Sequence, residues 1–412
     1  MEITKALRHA TVVTMDGGKV VDDATLVITG TTIMGVYAEA EVPADVRSWL
    51  GGNTGDVIDA DGKYIFPGLI NLHDHLDMHE VPGSMHDRVS HPIPMLATRA
   101  TRNALLALAR GVTTLRDLGS RDSTNIIIRE IIEQGFFVGP RILACGQMIS
   151  ATGGHGQPLS AEGDGPDVLR RVTREQVKAG ADVIKVCASG GVVAMARENP
   201  WAQQLSDTEL LAIVEEAERF GLRVAAHAHP PAAIKASVLA GVTTIEHGAF
   251  LDDECAALMV EHGTYLVPTI DDSFAVTEFG DRHGRPTWMQ ENARKSIELR
   301  QASLKRAVDA GIQLGVGTDV VGKMGREMAH LVEAGADVTT AIAGATSTAA
   351  EILGVDEIGS LRSGMAADLI VLSEDPRERL TAFDDAIELV VRAGHAIKPG
   401  SLLEVCNNGD IV

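Results

Sequence analysis

Apolar runs of strand type alternate with amphipathic stretches through most of this chain. The runs fall at about 66–72, 112–117, 141–145, 182–187, 222–226, 242–246, 264–269 and 312–317, and helical stretches separate most of them. Ser206 is placed to cap a helix running through Phe220, with Glu209 completing a capping box. Pro231 through Leu239 and Asp252 through Glu261 are further amphipathic candidates, and helices tend to finish at a glycine, as at Gly111, Gly221, Gly241 and Gly311. Eight strands alternating with helices predict an α/β chain folded as a closed parallel (β/α)8, or TIM, barrel; the alternative is an open doubly wound sheet. No Gly-x-Gly-x-x-Gly opens a helix after the first strand, which counts against a dinucleotide fold.

The two ends read differently from the middle. Residues 1–62 contain short strands and turns: Ala10–Thr14, the turn Asp16-Gly17-Gly18, Thr25–Ile28, Thr31–Val36 and Val57–Ala60. Beyond residue 363, Gly364–Leu372 and Ile387–Val391 are strands with turn residues between them. The pattern predicts a barrel over 63–363 and one small β-sandwich assembled from 1–62 and 364–412.

Composition narrows the partners. With 412 residues, 45% of them hydrophobic, and 42 glycines, the chain has ample core and many turns. A formal charge of −21 argues against nucleic acid, because phosphate binding needs a basic surface. The N-terminus lacks an apolar stretch of signal-peptide length, and no segment approaches about 18 uncharged apolar residues, so a cytoplasmic protein without a membrane partner is the simplest reading. Cys145, Cys187, Cys255 and Cys406 lie far apart, which fits reduced thiols. Cys187, two residues after Lys185, shares its strand face. Aromatic residues make up 3% of the chain, which implies few stacking surfaces and mildly disfavours a large aromatic substrate.

The chemistry is carried by strand ends. Phe66-Pro67-Gly68-Leu69-Ile70-Asn71-Leu72-His73-Asp74-His75 ends in two histidines one residue apart, and side chains two apart on a strand share a face and can grip one ion. In order there follow Val183-Ile184-Lys185-Val186, a run ending in His227, another ending in His247, and Gly315-Val316-Gly317-Thr318-Asp319. Each puts a ligand-capable side chain at the C-terminal end of a strand-like run, where barrel enzymes keep their chemistry.

The ordered set resembles the amidohydrolase superfamily over almost the whole chain, and within it the binuclear-metal group of imidazolonepropionase-like proteins, Xaa-Pro and Xaa-Arg dipeptidases and ochratoxin-type amidases. The resemblance rests on the opening motif through His75, the loop Ser150-Ala151-Thr152-Gly153-Gly154-His155-Gly156, Ile184-Lys185-Val186 with Ser189-Gly190-Gly191-Val192, His227-Ala228-His229, Ile245-Glu246-His247-Gly248, Gly317-Thr318-Asp319 and Gly364-Met365-Ala366-Ala367-Asp368-Leu369.

On this reading His73, His75 and Asp319 hold one Zn-like ion, and His227 and His247 hold a second. Two neighbouring cations need a bridging anion, and an ammonium at Lys185 would be repelled. The resemblance implies that carbon dioxide carboxylates Lys185 so that its carbamate bridges both ions; the alternative is a strand-end cation reaching for solvent. Asp319 would also act as general base, the alternative being a helix-capping loop aspartate. The resemblance selects His227 over His229 as the ligand, by its spacing to His247. In prolidase-like relatives a tyrosine that contacts the substrate carboxylate often stands where this chain has His229, so proline-type specificity is in doubt here. His229 is then a substrate contact or a support for the ligands. By resemblance His155 hydrogen-bonds the substrate carbonyl. Gly190, Gly191 and Val192 would wall the pocket, and His79, His86 and His91 fall in a loop that either lines its mouth or is simply solvated. His9, His262, His283, His330 and His395 have no ligand spacing.

The expected activity is hydrolysis of the amide of a dipeptide or N-acyl amino acid, in a homo-oligomer, with two divalent ions, zinc foremost. Carbamate, urea, lactam or imidazolone hydrolysis keeps the same site; a deaminase is disfavoured by Lys185, and a non-catalytic scaffold by the complete ligand set.

Overall fold

A computed structural model of the chain describes residues 2–52, 56–78, 90–192, 199–282, 284–320 and 322–407. The two ends of the chain share one eight-stranded sheet. From the N-terminal side come β1 (Lys5–Val13), β2 (Val20–Thr29), β3 (Thr32–Ala38), β4 (Val57–Asp59) and β5 (Tyr64–Pro67). The middle of the chain supplies β6 (Leu69–Asp74), β7 (Val112–Asp117), β8 (Arg141–Ala144), β9 (Met148–Ser150), β10 (Ser160–Glu162), β11 (Val183–Cys187), β12 (Arg223–Ala228), β13 (Thr244–His247) and β14 (Tyr265–Val267). The far end adds β15 (Leu369–Leu372), β16 (Ile387–Arg392) and β17 (His395–Ile397).

The terminal sheet runs β17-β16-β15-β5-β1-β2-β3, with β4 on β1. Its key register is antiparallel Leu369↔Pro67 through Leu372↔Tyr64, so the exit from the helical region is clamped beside the strand that leads into it. Leu7, Leu26, Ile28, Ile65, Leu369 and Val371 form its buried core.

The middle strands form two parallel sheets, β6-β7-β8 and β10-β9-β11-β12-β13-β14. The chain itself joins them on one side, since β8 leads into β9 and Asp182 N donates to Ala144 O at 2.8 Å. On the other side the segment 313–316 lies between β14 and β6: Leu266 N donates to Gln313 O (3.1 Å), Gly315 N to Leu266 O (2.9 Å) and Leu72 N to Val316 O (2.9 Å). Six of the eight predicted runs are strands over most of their length, and the run at 264–269 is a strand over its middle half. The eighth, at 312–317, forms one bridge at Leu314 rather than a regular strand. Its glycines explain why: a Cβ on Gly315 would lie 2.4 Å from Leu72 Cδ1, and one on Gly317 2.6 Å from His73 Cβ, so the backbone can press against β6 only without side chains there.

The helices pack on these strands by their apolar stripes. The helix Pro166–Ala179 buries Leu169, Val172, Thr173 and Gln176, a spacing of three, one and three residues that defines a single face. The capping box at Ser206 and Glu209 is present and starts the helix Asp207–Glu218. Helices also span Pro231–Ala240 and Asp253–His262, matching the amphipathic stretches read from sequence. Among the described residues no helix is long and apolar enough to cross a membrane.

The close approach at Gly317 makes a direct prediction. Gly317→Ala should destabilise the fold by roughly 1–3 kcal/mol, as overpacking of a tight interior site does; an unchanged thermal midpoint would show that the 313–316 segment yields freely.

Candidate active site

The expected ligands stand on or just after the parallel strands, except Asp319, which follows the irregular 313–316 segment. β6 delivers His73 and His75, both buried. β11 delivers Lys185, paired in register with Ala225 of β12, and Cys187 of β11 pairs with His227. Ala228 in turn pairs with His247, the last residue of β13. Asp319 follows the 313–316 segment, and its backbone N donates to His73 O at 2.8 Å.

Two of these positions depart from regular backbone. His247 has φ 70° and Asp319 has φ 65°, left-handed values uncommon for residues with a Cβ. At β13 the consequence is specific. Alternation along a strand should send Glu246 and His247 to opposite faces, yet both reach His73: Glu246 Oε2 is 2.7 Å from His73 Nδ1, and the His247 ring centroid is 4.9 Å from that of His73.

The histidines form a connected cluster. Ring centroids are 5.3 Å apart for His73 and His75, 4.6 Å for His227 and His247, 4.6 Å for His227 and His229, and 4.1 Å for His155 stacked on His227. Asp319 Oδ1 lies 3.1 Å from His73 Nε2 and 3.7 Å from His75 Nε2. The ligand atoms of His73, His75 and Asp319 all fall within 4.8 Å of one another, a spacing able to hold a metal ion.

Four of the clustered rings have one nitrogen anchored. His73 Nδ1 meets Glu246 Oε2, His75 Nδ1 meets Gly119 O at 2.7 Å, His227 Nε2 meets Gly190 O at 3.3 Å and His247 Nδ1 meets Thr269 Oγ1 at 2.6 Å. Anchoring one nitrogen orients the ring and leaves the other to bind an ion.

The electrostatics suit cations. Burial, followed by repulsion from neighbouring imidazoles, Lys185 and, at His229, Arg300, holds His227, His229 and His247 well below the ordinary histidine range, so their rings are neutral at pH 7. Burial likewise lowers the Lys185 amine, against opposing pulls from Glu246, Cys187 and Asp319. Lys185 Nζ is buried with no hydrogen-bond partner among the described residues. Burial alone would raise Asp319, but its neighbours His73, His75 and Lys185 hold it well below the usual carboxylate range, so it is ionised. The neutral imidazoles of His227 and His247, the rings of His73 and His75, one ionised carboxylate and an orphaned buried amine form a donor set that fits metal ions.

The remaining expected positions vary. Gly190 and Gly191 are buried and Val192 is half-buried, with Gly190 pressed so close to Asn199 that a Cβ would lie 2.4 Å from its carbonyl oxygen. His91 Nδ1 sits 3.1 Å from Arg99 Nη2, and its carbonyl accepts from Arg121; His79, His86 and His283 lie outside the described residues. His330 packs on Phe274 and beside Asp271, apart from the cluster. The four cysteines are buried and no disulfide joins them, and Cys187 packs with Met78, Met148, Leu159 and Val320. Few as the aromatic residues are, two of them meet here: Trp201, half exposed, stacks on Phe250 at 3.9 Å, and Phe250 lies 5.9 Å from His229.

Sequence reasoning missed Glu246 and Arg116. Arg116 Nη2 donates to Glu246 Oε1 at 2.8 Å, Thr244 Oγ1 also donates to that oxygen, and neither member of the ion pair has appreciable exposure. Burial would raise the Glu246 carboxyl, but Arg116 and His73 hold it down at about 2. The available signal was a charge inside an otherwise apolar strand run, present at both positions.

Glu246→Gln should cost roughly 3–5 kcal/mol of stability at neutral pH, because it leaves Arg116 as an uncompensated buried charge. The carboxyl is depressed from 4.5 to about 2 on folding, so its contribution is full above pH 4.5 and is lost as pH falls towards 2. Denaturant titrations should therefore show the gap between wild type and variant narrowing below pH 4.5; a gap independent of pH would mean that Glu246 is not ionised in the fold.

Comparison with known proteins identifies the family. A family model described as the amidohydrolase family matches residues 64–397. Ochratoxinase from Aspergillus niger is 31% identical over 93% of this chain and 85% of its own length. Its crystal structure superposes with a TM-score of 0.84, at 28% identity, covering 97% of this chain and 96% of the other. A prolidase complexed with N-methylphosphonate-L-proline gives 0.86 at 30% identity, covering 96% and 100%. A putative prolidase from Bifidobacterium longum gives 0.80 at 33%, covering 98% and 100%. With the family model spanning all the strands that carry the histidine cluster, the chain belongs to the amidohydrolase family, hydrolases of carbon–nitrogen bonds.

Proposed function

We propose that this chain is a binuclear, zinc-dependent amidohydrolase that cleaves the amide bond of a dipeptide or an N-acyl amino acid. The observation that carries the two-ion reading is Lys185: a fully buried amine with no hydrogen-bond partner among the described residues, on a strand between the His73/His75 pair and the His227/His247 pair. Its charged form is disfavoured by burial, which makes the neutral amine available to add to carbon dioxide; the new N–C bond forms as one C=O π bond opens and a proton leaves to solvent. The resulting carbamate would join His73, His75 and Asp319 to His227 and His247 as ligands. Two such ions, when bound, supply a water acidic enough to be hydroxide at neutral pH and polarise the scissile carbonyl.

The chain's own groups divide the remaining work. Asp319, ionised and within 3.1 Å of His73 Nε2, takes a proton at its carboxylate and returns it to the leaving nitrogen. His155, stacked on His227, donates to the carbonyl oxygen of the substrate. Gly190, Gly191 and Val192 wall the pocket without competing side-chain charge. His229 contacts the leaving group, and the Trp201–Phe250 stack beside it supplies an apolar surface for a large side chain there. The amide substrate class follows the ochratoxinase and prolidase relatives. Hydrogen bonds at both seams between the parallel sheets support a closed eight-stranded barrel, over about 63–363, as the scaffold. The terminal sheet, bonded back on itself where Ile33 N meets Met365 O at 2.8 Å, is read as the accompanying sandwich.

Purified protein should carry two zinc ions per chain, and a screen of N-acyl L- and D-amino acids and dipeptides should find a hydrolysed amide. Asp319→Asn should lower turnover by roughly 10²–10⁴-fold while at least one ion is retained, the range expected for loss of an acid–base group; unchanged turnover would refute the proton role. Trp201→Ala should reduce the preference for N-acyl phenylalanine over N-acyl alanine by about 3–10-fold in kcat/KM, the scale of one aromatic contact. An unaltered ratio would remove the stack from the substrate path.

A further inference from the structure

The helix Thr287–Ala310 sends one arginine into the interior beneath the end of β14. Arg300 is 4% exposed, and its Nη2 donates to Pro268 O (3.1 Å), Thr269 O (2.8 Å) and Thr269 Oγ1 (3.1 Å). Nη1 donates to Asp272 Oδ1 and Ser273 Oγ, both at 2.5 Å. From the following helix, Met324–Glu333, the buried Glu327 accepts from Ile270 N (2.9 Å) and Asp271 N (2.8 Å). A buried guanidinium and a buried carboxyl group from separate helices thus grip consecutive peptide groups of 268–271. Burying a guanidinium is unfavourable unless it is paired and hydrogen-bonded, and here Asp272 supplies the pairing while the 268–269 carbonyls take its remaining donors.

What they hold is a strained residue. Thr269 is fully buried and has φ 47°, a left-handed conformation that is an outlier for a β-branched side chain. In that conformation its hydroxyl lies 2.6 Å from His247 Nδ1. The other three imidazole anchors are a carboxylate, Glu246, and two backbone carbonyls, Gly119 O and Gly190 O. Thr269 is the one hydroxyl in the set and the one anchor carried by a loop side chain, so it needs fixing from outside.

We infer that Arg300 and Thr269 are positioning residues for His247. Arg300 locks Thr269 in the strained conformer whose Oγ1 meets Nδ1, and the ring is thereby turned so that Nε2 faces the centre. Arginine has no acceptor, so it must donate to Oγ1; the second lone pair of that oxygen receives Nδ1–H whenever Nε2 is the coordinating atom. The functional consequence rests on the two-ion reading above, whereas the positioning itself does not.

The test compares Thr269→Val, which keeps the branched shape and removes the hydroxyl, with Thr269→Ser, which keeps the hydroxyl, alongside Arg300→Met. In the metal-free full-length protein labelled with ¹⁵N-histidine, with the His247 ring signals assigned by their loss in His247→Gln, Thr269→Val and Arg300→Met should move those signals. Signals of His73 and His75 should stay in place, and Thr269→Ser should resemble wild type. In zinc titrations against a competing chelator, Thr269→Val should weaken the second ion by about 10–100-fold, the usual effect of losing a ligand's hydrogen-bond partner, and leave the first unchanged. Unmoved His247 signals in Thr269→Val, or wild-type affinity for both ions, would overturn the inference. Should wild type take up fewer than two ions, the two-ion reading fails and the ring spectra still decide the positioning. Should Arg300→Met fail to fold, the Thr269 pair decides alone, because it leaves the Arg300 bonds to Pro268 O and Asp272 in place.

Discussion

A carboxylate without solvent exposure links the two parallel sheets through its side-chain partners, and the arrangement of the centre follows from keeping it charged. Glu246 belongs to β13, its guanidinium partner Arg116 to β7 and its imidazole partner His73 to β6. Arg116 also donates through Nε to Leu72 O at 2.6 Å, so a single buried cation ties β7 to β6 and to β13 at once. An ion pair in this position is stable only when both charges and their remaining hydrogen-bonding atoms are satisfied. Thr244 and His73 complete that satisfaction at Glu246. The same contact that neutralises the carboxylate also decides which face His73 turns towards Asp319. Fold stability and ring orientation are therefore one constraint here.

The ends of the strands carry the opposite kind of feature, conformations that are locally unfavourable. His247, Thr269 and Asp319 all have left-handed backbone, and all three touch the histidine cluster or belong to it. Such residues persist when their surroundings over-determine them. At Asp319 the surroundings are the bonds from Thr318 N and Asp319 N to His73 O, and the side-chain-free approach at Gly317. At Thr269 they are Arg300 and Glu327. At His247 the departure turns inward a side chain that regular strand alternation would have aimed elsewhere.

Charge within the pocket is independent of charge on the whole molecule. A chain with a formal charge of −21 surrounds a centre in which His227, His229 and His247 are held neutral and the lysine is pushed towards its neutral amine. Burial does most of this, and crowding among like groups does the rest. Asp319 is the counterweight, an ionised carboxylate among groups that stabilise its charge.

Much of the fold was legible because periodicity is local. Runs such as 112–117 and 141–145, and the capping box at Ser206, state their own structure through side-chain pattern and nearby hydrogen bonding. The 312–317 run looked like another strand, but its glycines serve packing against β6, which no local pattern reports. The ligand-type residues were legible as well, since side chains two apart on a strand share a face wherever that strand lies. Glu246, Arg116, Thr269 and Arg300 were not, because their roles are pairings between residues far apart in the chain, settled only once separate strands and helices meet. By itself the sequence determined which elements form and which side chains stand at their ends. Tertiary structure alone decided how each ring is turned and which charges survive burial, because orientation and ionisation depend on neighbours that chain order does not bring together.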